Sequence, residues 1–425
     1  TLELTSKKRL GSAYAWRDVE WEIPLSGTDW PRSLARGGLS NVWGAACYPL
    51  SHDDYGRWPI DEPDMAPHFE ETSRLLCISQ VSDGLAQAYP LYGEVSQGLE
   101  LNTLSAAQLA HWRDHAEQLG RQGISFGRSR VAVRREDDGA EYGCRKCGLC
   151  HYGCAWDAIY RSDWTLRLLQ ARSGFEYRSG FLVSGYRESS GGVTVEARRG
   201  PSKVPAEMEY DALFLAAGTL STLAITAGSM LPHGEPLQLT DNDLYLAPFV
   251  SSERAGPPSD AFFTLTELSL RLHVMGYPLH VQLYRVNEQI VDQFRPLLGA
   301  MPGTLRRLAE RYMGRMFLAF IYLPGRTSAR IEARVEPAAP ADRVNLLLAR
   351  HERSRDIVRQ CLRHLRRSRD ALGMRPLGPL FPATPSGASA SHLVGGLPMA
   401  LEPGPGQCTP LGRLHGTERA VSYTH

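Results

Sequence analysis

From Ala212 to Leu231 the chain carries no charged residue, and this stretch constrains the fold more than any other. By length it could cross a bilayer, which takes about 20 apolar residues. It also contains Gly218, Gly228 and five Ser or Thr, with Gly218-Thr219 in its middle. That pattern predicts a buried strand, a glycine turn and a helix rather than a membrane span. The strand is expected over Asp211 to Ala217 and the helix over Leu220 to Met230. A strand ending in small residues and passing through Gly into a helix is the nucleotide-side geometry of a doubly wound sheet. Small side chains leave room for a ligand, and a helix N-terminus favours phosphate. A plain crossover in any α/β domain would look the same.

At 425 residues the chain is too long for a single core, so two or three domains are expected. Lys plus Arg is 47 and Asp plus Glu is 46, a net charge of +1. That balance argues against a nucleic-acid coat and a polybasic membrane module. Eight Cys in this length do not make a disulfide scaffold. The chain opens Thr1-Leu2-Glu3-Leu4 without a visible targeting segment. A cytoplasmic location is expected, with an N-terminal signal left open because the first residue is not Met.

Elsewhere the periodicity predicts helices near Met65 to Leu76, over 104 to 121, over 163 to 172 and over Pro302 to Met313, and a long helix over 343 to 372. Strands are predicted over Phe181 to Tyr186 and Val193 to Ala197, joined by Ser189-Ser190-Gly191-Gly192. Phe262 to Val274, His280 to Val286, Met316 to Tyr322 and Ser328 to Val335 read as an antiparallel sheet with attached helices. The arginines behind the long helix (Arg355, Arg359, Arg363, Arg366 and others) read as a solvated face with local ion pairs. The tail from 374 reads as Gly- and Pro-rich loop.

Four segments carry candidate chemistry. In Arg36-Gly37-Gly38-Leu39-Ser40-Asn41-Val42-Trp43-Gly44, paired glycines let backbone approach a flat ring or a pyrophosphate. Trp43 offers a stacking face, and Ser40 and Asn41 offer hydrogen bonds. The second segment is the Ala217-Gly218 turn. The third is Cys144-x-x-Cys147-x-x-Cys150-x-x-x-Cys154, spaced like a ferredoxin iron–sulfur run but with Ala155 where Pro usually follows. A cluster or metal, redox thiols and a structural loop are all open readings. In the fourth, His392 precedes Gly395-Gly396 and could face a cavity or simply be hydrogen-bonded.

In this order, the segments resemble the glucose–methanol–choline family of flavin oxidoreductases. Gly37 to Gly44 resembles the family's glycine segment along the flavin, and Trp58-Pro59-Ile60 the Trp-Pro-Ile that follows it. Cys144 to Ala158 is similar to a cysteine segment in part of the family. Asp211 to Thr222, His392 to Met399 and Leu411 to Gly416 resemble three further motifs. The resemblance implies α/β architecture: an incomplete Rossmann-like FAD-binding domain plus an α+β substrate domain with an antiparallel sheet. The FAD-binding part would take residues 1–255, with a cysteine-rich insert at 144–154, and return at 386–425; the substrate part would take 256–385.

The resemblance also implies bound FAD and oxidation of a sugar, polyol or sterol-like alcohol, with hydride passing to flavin N5 and His392 as the base. Gly37, Gly38, Ser40, Asn41, Val42, Trp43, Gly44, Val183, Ala217 and Gly218 would contact the cofactor. Cys144, Cys147, Cys150 and Cys154 would hold an iron–sulfur cluster, if one is present. The expected partners are the alcohol and an electron-acceptor protein, with no nucleic acid and no membrane span. The chain departs from the family in two ways. No Gly-x-Gly-x-x-Gly occurs in it, and after Leu414-His415-Gly416 it ends without the residues that partner the base; His425 is not at the partner's position. A fragment, or a catalytically inactive paralogue acting as a binding protein, is the alternative.

Overall fold

The computed structural model describes residues 25–26, 33–56, 58–231, 235–293, 299, 301–336, 343–378, 381–382 and 392–422. The expectations that touch residues 1–24, 386–391 and His425 lie outside these.

The largest sheet combines strands that alternate apolar and polar residues, as Leu268–Val274 and Tyr277–Arg285 do, with apolar ones such as Met316–Tyr322. Its seven strands lie in the order Met374–Pro376, Leu244–Ser251, Met316–Tyr322, Tyr277–Arg285, Leu268–Val274 and Ile124–Arg128, with Phe381–Pro382 also on Leu244–Ser251. Every pairing is antiparallel. One face carries Leu268, Leu270, Leu272, Leu279, Val281, Leu283, Phe317, Ala319 and Ile321, all buried in one cluster. Leu104, Leu109 and Trp112 of the Thr103–Asp114 helix cover it, with Ile357, Cys361 and Leu365 of the Ser354–Arg367 helix. Each such side chain contributes about 1.5–3 kcal/mol through burial. The layer therefore fixes which face of the sheet is left for chemistry. This sheet takes strands from both sides of residue 255.

A second sheet of five strands runs Leu25–Ser26, Arg343–Ala349, Arg330–Glu336, Pro236–Thr240 and Val394–Gly395. Its Ile331, Ala333, Val344 and Leu239 share a core with Leu220, Leu223 and Ala227 of the Thr219–Met230 helix. The antiparallel meander Phe181–Ser189, Gly192–Arg199 and Val204–Tyr210 adds Tyr186 and Val193 to that core. Leu213–Leu215 pairs in parallel with Ala420–Ser422. Where the Rossmann-like domain was expected, the described residues hold this short pair, the glycine turn with its helix and the antiparallel meander, which do not make a doubly wound parallel sheet.

Several expectations need correction. The strand expected over Asp211 to Ala217 spans Leu213–Leu215, and no helix among the described residues is long and apolar enough to cross a membrane. Residues 343–349 form a strand, not the start of the long helix, because Val344 and Leu346 alternate into the second core. The strand expected from Phe262 begins at Leu268. Glu267 pins the preceding segment: its buried carboxylate accepts bonds from Asn102 N (2.6 Å), Asn102 Nδ2 (2.8 Å) and Ser105 Oγ (2.6 Å). The helix over 104 to 121 breaks at His115.

Candidate functional site

The face of the large sheet turned away from the helices is polar and aromatic. Register places Ser269 opposite Gln282, Arg271 opposite His280, His280 opposite Tyr322 and Gln282 opposite Phe320. Tyr284 follows Gln282 on the same face. Loops bring further rings over it. The Tyr48 ring lies 4.5 Å from that of His280 and 4.9 Å from that of Tyr89. Arg130, fully buried, donates to the carbonyls of Tyr89 (2.6 Å) and Pro90 (2.8 Å) and so holds the loop that presents Tyr89.

Hydrogen bonds tie these side chains into one network. The Tyr89 hydroxyl lies 3.1 Å from His280 Nδ1 and accepts from Arg271 Nη1 at 2.8 Å. Gln282 Oε1 accepts from the Tyr284 hydroxyl (3.0 Å), which leaves Gln282 Nε2 as donor to His280 Nε2 (3.3 Å). That amide orientation assigns the His280 proton to Nδ1. Tyr48 Oη and Ser269 Oγ are 2.8 Å apart, and Ser129 Oγ lies 2.8 Å from Ser269 Oγ. Burial, and then the guanidiniums of Arg271 and Arg130, push the His280 imidazole down to about 3. Burial pushes the phenols of Tyr48, Tyr284 and Tyr322 up. Apart from Arg271, which is paired with Asp53 at 3.2 Å, the floor of the site thus offers neutral donors and acceptors.

His392 stands at one end of this floor. Its ring stacks on Tyr322, with centroids 6.1 Å apart and planes at 12°. Its backbone N–H donates to the buried carboxylate of Asp241 (2.8 Å). The next residue is tied to the glycine turn, because Thr219 Oγ1 donates to the Leu393 carbonyl at 2.7 Å. The residue is exposed as a whole, yet crowding around the ring lowers the imidazole's pKa, with Asp241 opposing. Ala217 and Gly218 are exposed beside it, and Gly218 (φ 80°, ψ 157°) opens the Thr219–Met230 helix without a side-chain cap.

Gly44 stands at the other end. A Cβ placed there would come 3.4 Å from the Tyr284 hydroxyl, so its backbone lies against the sheet. Tyr284 pairs with Leu318, four residues before Tyr322. At about 3.3 Å per residue, the Gly44 and His392 ends are roughly 13 Å apart along one face.

The rest of the glycine segment is folded on itself. Gly37 (φ 88°) caps the turn Gly38–Asn41, and Ser40 Oγ bonds the Gly37 carbonyl and Ser162 Oγ. Asn41 Nδ2 donates to the carbonyls of Arg36 (2.9 Å) and Gly38 (3.0 Å), and Trp43 Nε1 to that of Tyr160 (2.8 Å). The polar atoms expected to reach outward therefore serve the loop's own shape. Val42 follows as the cap residue of the same turn. Val183 packs against the second core, beside the Thr219–Met230 helix.

The cysteine run adjoins the site through His151, whose ring lies 6.5 Å from that of Tyr284. All four thiols are free. Cys144, Cys150 and Cys154 pack toward an apolar cluster while Cys147 is exposed, and burial pushes Cys150 up to about 11. Among the described residues no three His, Cys, Asp or Glu are arranged to hold a metal ion. The iron–sulfur expectation finds no support in that arrangement.

His280, Gln282 and Tyr284 were readable from the alternation of their own strand, whereas Met316–Tyr322 is apolar and aromatic throughout, so the face of Phe320 and Tyr322 follows from pairing alone. Tyr48, Tyr89 and Asp241 lie in loops that carry no periodic signal.

No protein-family profile matches the chain, and no curated protein does. Among solved structures it is similar to OxyS anhydrotetracycline hydroxylase from Streptomyces rimosus, at 15% identity and a TM-score of 0.18. The match covers 54% of this chain and 37% of that one. A likeness at that score carries no argument here. The fold itself is a mixed one of helices and antiparallel sheet.

Proposed function

We propose that this chain is an FAD-dependent oxidoreductase that oxidises the CH–OH group of a sugar, polyol or sterol-like alcohol to the carbonyl. The observation that carries this reading is the pair of ends on one sheet face, Gly44 against Tyr284 and His392 against Tyr322. Their separation of roughly 13 Å suits a flat tricyclic ring with substrate beside it. The residues present fit that ring. Gly44 brings bare backbone to the sheet, and the exposed Gly218 turn offers uncapped helix N–H groups to an anion. FAD, when bound, supplies the acceptor for the carbinol hydride.

The chain's own residues do the rest. An imidazole nitrogen of His392 accepts the hydroxyl proton, and a lowered pKa keeps it neutral and able to do so. Asp241 fixes the backbone of that residue and Tyr322 the plane of its ring. Tyr48, His280, Gln282 and Tyr284 give neutral hydrogen-bond partners to substrate hydroxyls, which favours a polyhydroxylated alcohol. Turnover then needs an electron acceptor, expected to be a partner protein. A second reading is an inactive binding protein, in which the hydrogen-bonding face of Tyr48, His280, Gln282 and Tyr284 holds a polyhydroxylated ligand without turnover.

The test supplies FAD and an artificial electron-accepting dye to the purified chain, with a panel of sugars, polyols and sterols. Dye reduction by one class, abolished in His392→Ala, supports the enzyme. No reduction with any alcohol, together with retained sugar or polyol binding, supports the binding protein.

A further inference from the structure

The Gly303–Met313 helix, like Glu62–Leu75, lies on the surface of the body. It buries none of its residues, although its sequence is strongly amphipathic. Leu305, Leu308 and Tyr312, spaced i, i+3 and i+7, form one stripe, and they are 54%, 65% and 40% exposed. The less exposed side is Ala309, Glu310 and Met313, so the stripe is not the face turned to the body. Arg307 and Arg311 border it on the outer surface and make no ion pair among the described residues; Arg306 is paired with Glu310 at 3.6 Å. The outward half of the helix is thus apolar along one edge and cationic along the other.

We infer that this helix lies on an anionic lipid surface, with Leu305, Leu308 and Tyr312 in the acyl boundary and Arg307 and Arg311 among the headgroups. An interfacial helix needs that split between an apolar edge and a basic one. Charge decides among the occupants. A second copy of the chain would set Arg307 and Arg311 beside their own counterparts, and like charges disfavour that pairing. A negatively charged leaflet attracts both arginines and accepts the apolar edge without any matching groove. The chain's near-zero net charge does not oppose this, since attraction falls off within a Debye length and only local charge counts.

The experiment is co-sedimentation of the full chain with phosphatidylcholine vesicles, with and without phosphatidylglycerol, at low and high salt. The expected result is binding to the anionic vesicles, weakened by high salt. Leu305→Ser with Leu308→Ser should abolish it. Arg307→Gln with Arg311→Gln should weaken it on the order of tenfold. All four side chains are exposed, so circular dichroism should show both variants folded. A chain that stays in the supernatant with both lipids overturns the inference. So does binding that survives the double Leu variant, or concentration-dependent self-association of the chain, without vesicle binding, that the same variant removes.

Discussion

His392 and His280 both lie against Tyr322, at 6.1 and 6.2 Å between ring centroids, and meet different surroundings. Asp241 faces His392 and supports its protonated form, while Arg271 and Arg130 oppose that form at His280. If His392 is the base, kcat/KM should rise with pH through a midpoint below the ordinary histidine value of about 6.5. Asp241→Asn should move that midpoint lower still, and a pH–rate profile that does not shift would remove Asp241 from the account.

For His280 the consequence is stability. Its folded pKa of about 3 lies below the unfolded value, so the unfolded chain binds more protons between the two. Stability from this group is full above about pH 6.5 and is lost as pH falls toward 3. Between about pH 6.5 and 5 the loss should be about 2 kcal/mol. Urea unfolding of wild type and His280→Gln at both pH values checks this, and equal slopes for the two would contradict it.

At the scale of elements, the turn at Gly218 is one where a side chain would strain the backbone without any clash. Its φ of 80° with ψ of 157° is a conformation that suits glycine, although a Cβ there would meet nothing within 4 Å. Gly218→Ala should therefore cost about 1–3 kcal/mol through strain alone, read as a lowered Tm. Leu365→Ala, under the large sheet, should cost about 2–5 kcal/mol by cavity formation.

The same elements show what was legible in the sequence. Met316–Tyr322 is an unbroken apolar and aromatic run between Arg315 and Pro324, so its bounds were readable, though not which residues face which side. Val204–Tyr210 was not, because Pro205 and two glutamates disguise a sheet-edge strand that needs few ladder bonds and little burial. Arg343–Ala349 was merged with the helix after it, because a run of Leu346, Leu347 and Leu348 has no period of its own.

At the scale of the whole molecule, the candidate site is assembled from residues near 44, 89, 218, 241, 280, 322 and 392. Motif reading could find Gly44, Gly218 and His392. It could not find what joins them, because the joining surface is a sheet whose strands come from residues 124 to 382. Tyr284 and Tyr322 acquire meaning through the register that sets them on one face, and register is a property of pairing rather than of any one strand.

The proposed activity depends on that face receiving a flavin ring between Gly44 and His392. The most direct measurement is the visible absorption spectrum of the chain after incubation with FAD and gel filtration, for wild type and Gly44→Val. The expected result is retained flavin bands in wild type, weakened or lost in the variant, whose side chain would press on Tyr284. Bands absent from both proteins, or equally strong in both, would contradict it.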